Sequence, residues 1–149
     1  MDIQIALATT DDLPRLRRVI QRAHLRTKRL EDCRWLVKAT AGGAIVGAAG
    51  LEVLGPYGFF RSFAVEKAYR KQRVGSAILR RSLELCREAG IDEVYLVTAW
   101  YHVPYFNHYG FAVIQRSEIP QELQRHWQVS SALFRLLRSV VKPMRVRLE

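Results

Sequence analysis

The chain has 149 residues, 49% of them hydrophobic, with 24 Lys and Arg against 14 Asp and Glu for a net charge of +10. That length fits a single domain, residues 1–149, with one core, and no apolar run reaches the roughly 18–20 residues of a membrane span. Met1-Asp2-Ile3-Gln4 lacks the basic-then-apolar order of a secretory signal, so a cytoplasmic protein without a membrane partner is expected, and the positive charge favours anionic partners: nucleic acid, an acidic surface or a phosphorylated small molecule.

Asp2 to Ala8 alternates apolar and polar residues and predicts a strand. Thr9-Thr10-Asp11-Asp12 offers N-cap residues, and Leu13, Leu16, Val19, Ile20 and Ala23 follow at helical spacing, with Pro14 in a tolerant first turn. His24 to Arg29 is basic and breaks the pattern, as a loop or short helix would. Trp35 to Ala39 reads as a strand, Thr40 to Gly43 as a turn, and Ala44 to Leu54 as the returning strand of a hairpin. Gly55 to Gly58 is a second turn and Phe59 to Val65 a third strand. Val74 to Ala89 carries apolar residues broadly on one side of a helix, Gly90 is a C-cap candidate, and Asp92 to Thr98 is a strand. This strand–helix–strand run predicts a right-handed parallel unit. Ala99 to Tyr109 is aromatic-rich and helical after Pro104, and Phe111 to Gln115 is a strand. Pro120 to Trp127 and Ser131 to Arg138 read as short helices, and Met144, Val146 and Leu148 alternate in a last strand. Cys33 and Cys86 lie far apart in apolar surroundings, which suggests neither a disulfide framework nor a zinc site.

The chemistry concentrates where the third strand meets the long helix. Arg70-Lys71-Gln72-Arg73-Val74-Gly75-Ser76 places several basic residues before a helix start, whose unpaired N–H groups and dipole favour phosphate. Gly75 is expected to remove a Cβ that would hold a pyrophosphate off the backbone.

Phe63-Ala64-Val65, Tyr69-Arg70, Val74-Gly75-Ser76-Ala77 and Asn107-His108-Tyr109-Gly110-Phe111, in this order and separation, resemble the GNAT superfamily of N-acetyltransferases. Within it, Gly50-Leu51-Glu52-Val53, Gly55 and Arg61-Ser62-Phe63-Ala64-Val65 are similar to ArsN-type arsenic-resistance N-acetyltransferases. That likeness continues through Ile119-Pro120 and the terminal Met144 to Leu148 strand. The resemblance implies an α/β fold, with a central, twisted, mostly antiparallel sheet, a parallel strand–helix–strand cofactor unit and flanking helices. It implies transfer of an acetyl group from acetyl-CoA, without a metal, to the primary amine of a small amino-acid-like molecule. Arg73 stands where the family has its first loop glycine; its backbone is expected to stay helical with the side chain swung outward. Phe106 stands where many relatives have a tyrosine, and His24 to Arg29 is more basic than the group's pattern.

The expected cofactor contacts are Phe63, Ala64 and Val65, whose backbone N–H groups would polarise the acetyl carbonyl, the loop residues Arg70, Lys71, Gln72, Arg73, Val74, Gly75 and Ser76, and Asn107. Glu52 is the candidate base, facing a cleft from a mid-sheet strand, with a solvent-facing position on a half-buried strand as the alternative. Tyr105 is the nearest hydroxyl for an acid, packing being the competing role. Arg61 and Ser62, with Glu52, are the acceptor-binding candidates: Arg61 suits a carboxylate, or a surface ion pair. His102 and His108 are six residues apart and do not share a helical face, so no metal pair is expected. The basic residues are spread over Arg15 to Arg29, Arg70 to Arg87 and Arg135 to Arg147, without a recognised binding motif, which disfavours nucleic acid. Rival readings are a CoA-binding sensor or scaffold without turnover and a protein N-acetyltransferase. The partner list admits a homodimer.

Overall fold

The computed structural model describes residues 2–25, 27–127 and 140–148. Its described strands are β1 (Ile3–Leu7), β2 (Trp35–Ala41), β3 (Ala44–Leu54), β4 (Tyr57–Val65), β5 (Glu93–Ala99), β6 (Ala112–Val113) and β7 (Val141–Arg147). They form one seven-stranded sheet in the order β1-β2-β3-β4-β5-β7-β6. All neighbours are antiparallel except β4 and β5. The helices are α1 (Leu13–Arg22), α2 (Val74–Glu88) and the short α3 (Val103–Asn107). The segment expected at Ser131 to Arg138 lies outside the described residues. No helix among the described residues is long and apolar enough to cross a membrane.

Most elements follow from the periodicity of the sequence, with differences of local origin. The first hairpin turn is confined to Gly42 and Gly43, both at positive φ, so Thr40 and Ala41 remain in β2. Tyr57 and Gly58 belong to β4 rather than to the preceding turn, because both pair with β3 and β5. The strand expected at Phe111 to Gln115 shrinks to Ala112–Val113, which pairs with β7 alone. Strand β7 inserts between β5 and β6, an order that depends on long-range pairing.

Helices α1 and α2 cover opposite faces of β3. Leu16, Val19 and Ile20 of α1 pack with Ile45, Ala48 and Ala64. Ile78, Leu79, Leu83 and Cys86 of α2 pack with Val37, Ala49, Leu51 and Phe60. Coverage on both faces explains why Ile45 to Glu52 is a run of buried residues rather than an alternating one. A third cluster, Phe59, Tyr95, Ile114, Ile119 and Leu123, fills the space beside β5.

The entry to α1 is fixed by charge. Buried Asp12 accepts from the Thr9 amide at 2.9 Å and pairs with Arg15 at 2.6 Å and Lys38 at 2.9 Å. The Thr9 amide first, and Lys38 next, hold its carboxyl at about 2. A depressed folded pKa stabilises the fold above the ordinary aspartate value near 3.9 and ceases to do so as pH falls through the folded value. Asp12→Asn is therefore expected to cost about 2 kcal/mol at neutral pH. Thermal melts of both proteins should converge as pH is lowered from about 4 towards 2.

Candidate active site

Strands β4 and β5 pair only at Tyr57–Glu93, Gly58–Val94 and Phe59–Tyr95. Beyond Phe59 they part, β5 continuing along β7 and β4 along β3. The parting coincides with a bulge in β4, where Ser62 and Phe63 oppose the single residue Ala49 and Ser62 adopts φ 57°. The β5-facing edge of β4 is thereby opened. The Glu66 amide donates to Val46 of β3 at 2.8 Å. Strand alternation then turns the Val65 and Phe63 amides to the open edge and the Ala64 amide to β3. Of the three amides expected to act on the acetyl group, the alternation leaves Phe63 and Val65 available.

The open edge runs into the basic loop. Arg70 donates from Nε to the Val65 carbonyl at 2.9 Å, and Gln72 donates from Nε2 to Ala68 O at 3.3 Å, so both side chains brace the loop. Lys71 and Arg73 adopt φ 71° and 62°. Arg73 is thus left-handed at the N-cap of α2, not helical in the ordinary sense as its sequence suggested; it takes a conformation that favours glycine, with its side chain exposed. The first intrahelical bond runs from Ala77 N to Arg73 O at 3.1 Å. The amides of Val74, Gly75 and Ser76 have no protein acceptor among the described residues and are available to an anion. A Cβ on Gly75 would lie 3.1 Å from Phe63 Cζ and 3.3 Å from Tyr105 Oη. Glycine at this position lets α2 sit against β4 and α3.

Tyr105 brings its hydroxyl to the first turn of α2, 3.4 Å from Ser76 Oγ. Tyr109 donates a hydrogen bond to the same Ser76 Oγ. The Tyr105 ring stacks among Phe63 at 6.3 Å and Tyr109 at 5.3 Å between centroids. Burial raises the Tyr105 phenol above its ordinary value, against the lowering effect of the Ser76 hydrogen bond. Phe106 is buried against Phe63 and Phe111, and Asn107 is exposed at the end of α3. Tyr109 received no site role in the sequence reading, although its four-residue spacing from Tyr105 was the available signal.

On the sheet face that carries α1, Glu52 is only 6% exposed. This removes the solvent-facing alternative. Arg61 donates from Nη1 to Glu52 Oε2 at 3.1 Å, from Nη2 to Lys28 O at 2.7 Å, and from Nε to Ser62 Oγ at 3.1 Å. One guanidinium therefore ties β3, the β4 bulge and the loop after α1. Nothing in the sequence spacing linked Lys28 to this site. Cys33 lies alongside: a Cβ on Gly50 would fall 2.7 Å from its Sγ. Burial pushes the Cys33 thiol up to about 12 and the Cys86 thiol up to about 11. Among the described residues no cluster of His, Cys, Asp and Glu could hold a metal ion.

Residues 6–111, which span the parted strands and the α2 cradle, match the model of the acetyltransferase (GNAT) family. The chain belongs to that family. It is 31% identical over 106 residues to an amino-acid acetyltransferase of Mycobacterium tuberculosis, a match that covers 68% of this chain and 59% of that protein. The chain is also similar to a GNAT-family acetyltransferase of Staphylococcus aureus Mu50, with TM-score 0.79, 19% identity and coverage of 99% of this chain and 100% of that one. An N-acetylglutamate synthase of Neisseria gonorrhoeae, complexed with coenzyme A and N-acetyl-glutamate, superposes with TM-score 0.82 at 17% identity, over 100% of this chain and 36% of that one. These two structures show the shared fold alone.

Left-handed Arg73 gives a direct prediction. Arg73→Gly should relieve about 1 kcal/mol of backbone strain, less the entropy glycine adds to the unfolded chain. The melting temperature should rise by up to about 2–4 °C, read by calorimetry.

Proposed function

We propose that this chain transfers an acetyl group from acetyl-CoA to the primary amine of a small, amino-acid-like acceptor. The observation that carries this reading is the opening between β4 and β5, closed at one end by the unpaired amides of Val74, Gly75 and Ser76. A diphosphate fits those amides and the positive end of the α2 dipole, with Lys71 and Arg73 adding charge around them. The cosubstrate supplies the acetyl group activated as a thioester. Phe63 and Val65 offer N–H groups from the open edge to polarise the acetyl carbonyl.

Glu52 accepts the proton that an acceptor ammonium must lose, directly or through one water. Arg61 and Ser62 receive the acceptor's carboxylate; the contacts of Arg61 leave guanidinium N–H groups on both Nη atoms for it. The amine nitrogen then gains the acetyl carbon as the C–S bond breaks, and the proton that the nitrogen sheds on becoming an amide passes, directly or through water, to the departing thiolate. Thiolate is a moderate leaving group, so the reading requires no side-chain acid. The amino-acid-like acceptor is supported by the match to a protein named amino-acid acetyltransferase and by the ArsN-type pattern around Glu52 and Arg61.

Thiol release from acetyl-CoA over glutamate-like, polyamine, aminoglycoside and peptide acceptors tests the reading. Small carboxylate-bearing amines should turn over fastest, and Glu52→Gln should lower kcat/KM by about 10²–10⁴. Turnover with peptides alone would overturn the small acceptor, CoA binding without turnover would make the chain a sensor, and a Glu52→Gln rate unchanged across pH would remove Glu52 as base.

A further inference from the structure

Consecutive side chains of a regular strand point to opposite faces of the sheet, yet Arg61 and Ser62 touch: Arg61 donates from Nε to Ser62 Oγ at 3.1 Å. The contact exists because Ser62 sits in the β4 bulge at φ 57°. Bulges re-aim side chains in this way. The left-handed region favours glycine, so a serine here keeps its hydroxyl against backbone strain. That hydroxyl is one of three acceptors around one guanidinium. Nη1 donates to Glu52 Oε2 at 3.1 Å and Nη2 to Lys28 O at 2.7 Å. Those two contacts alone would let the planar group tilt about the line joining Nη1 and Nη2. The third, on Nε, fixes the plane, and with it the direction of the N–H groups that remain on both Nη atoms. The Arg61 and Glu52 side chains are only 15% and 8% exposed, so a misdirected donor here is not made good by water.

We propose that Ser62 is a positioning residue: its hydroxyl, placed by the bulge, fixes the plane of the Arg61 guanidinium so that the remaining N–H groups of the fork meet an acceptor's carboxylate in one orientation beside Glu52. The proposal rests on the acceptor reading above and makes the part of Ser62 in it indirect, through Arg61 rather than by contact with the carboxylate. A fork already held in place binds a carboxylate with less ordering left to do. Arginine suits the task because its donors keep a fixed relative geometry. Preference for a carboxylate-bearing amine then depends on the backbone shape at Ser62 as well as on the charge of Arg61.

The test is the ratio of kcat/KM for L-glutamate to kcat/KM for its diamide, in which amides replace both carboxylates, measured with the full chain and acetyl-CoA. Ser62→Gly suits the left-handed backbone and removes the acceptor of the Nε bond. It should lower the ratio about fivefold to tenfold, with a melting temperature close to wild type because strain relief offsets the lost hydrogen bond. Ser62→Asn, which tolerates the same backbone and carries a carbonyl acceptor, should restore part of the ratio. In an Arg61→Met background, Ser62→Gly should bring no further fall. An unchanged ratio in Ser62→Gly would overturn the proposal. A further fall of the same size without Arg61 would overturn it in favour of direct contact between Ser62 and the carboxylate. Equal losses on both acceptors would overturn it as general loosening of the fold. A wild type that does not prefer L-glutamate to the diamide, or turns over neither, would sink the acceptor reading itself, a failure distinct from the others.

Discussion

The site depends on a strand pairing that stops early. Three residues of β4 run parallel to β5, and the bulge at Ser62 then turns β4 towards β3 while β5 follows β7. A continuous ladder would saturate the edge amides of Phe63 and Val65 with sheet hydrogen bonds and leave no opening before α2. The divergence is supported from both sides. The Phe59–Tyr95 cluster fills the sheet where the strands still touch, and Phe63, Tyr105 and Phe106 line the region where they have separated. Inside the sheet, backbone is thereby left open at the C-terminal end of β4, where the helix dipole of α2 also points.

Much of this arrangement was legible in the residues. Alternation located β1 and β7, and the 3.6-residue stripe located α1 and α2, because each buries one face against the sheet. The basic Gly-containing loop before α2 announced a helix start with free N–H groups, since strand, loop and helix start leave such groups unpaired whatever the tertiary details. Other features depend on contacts that sequence spacing does not encode. The Ser62 bulge is a register shift against β3, and Arg73 is left-handed without the glycine that would announce it. Glu52 and Arg61 are nine residues apart in different strands, and Lys28 joins them from a loop thirty-three residues away from Arg61. Gly75 was singled out for room at a phosphate, and the room its missing Cβ makes for the Phe63 ring depends on tertiary packing that the sequence does not spell out.

Part of the positive charge stands at the start of α2. Asp12, Glu31, Asp32, Glu52, Glu66, Glu84, Glu88, Glu93 and Glu118 all form ion pairs with basic side chains. Lys71 and Arg73 have no ion pair among the described residues and stand exposed at the mouth of the α2 cradle. Much of the acidic complement is thus committed to holding the fold. Cations so placed favour the approach of an anion, and such a field raises encounter rates.

The state of the two thiols restricts the order of events. Cys33 lies beside the Glu52–Arg61 pair, near enough to the site to be considered as an acyl carrier, but desolvation keeps its sulfur protonated far beyond neutral pH, and Cys86 is buried on the sheet-facing side of α2. A thioester exchanges with thiolates, not with thiols. Neither cysteine is thereby suited to carry an acetyl group, and the direct transfer proposed above asks that donor and acceptor be bound together.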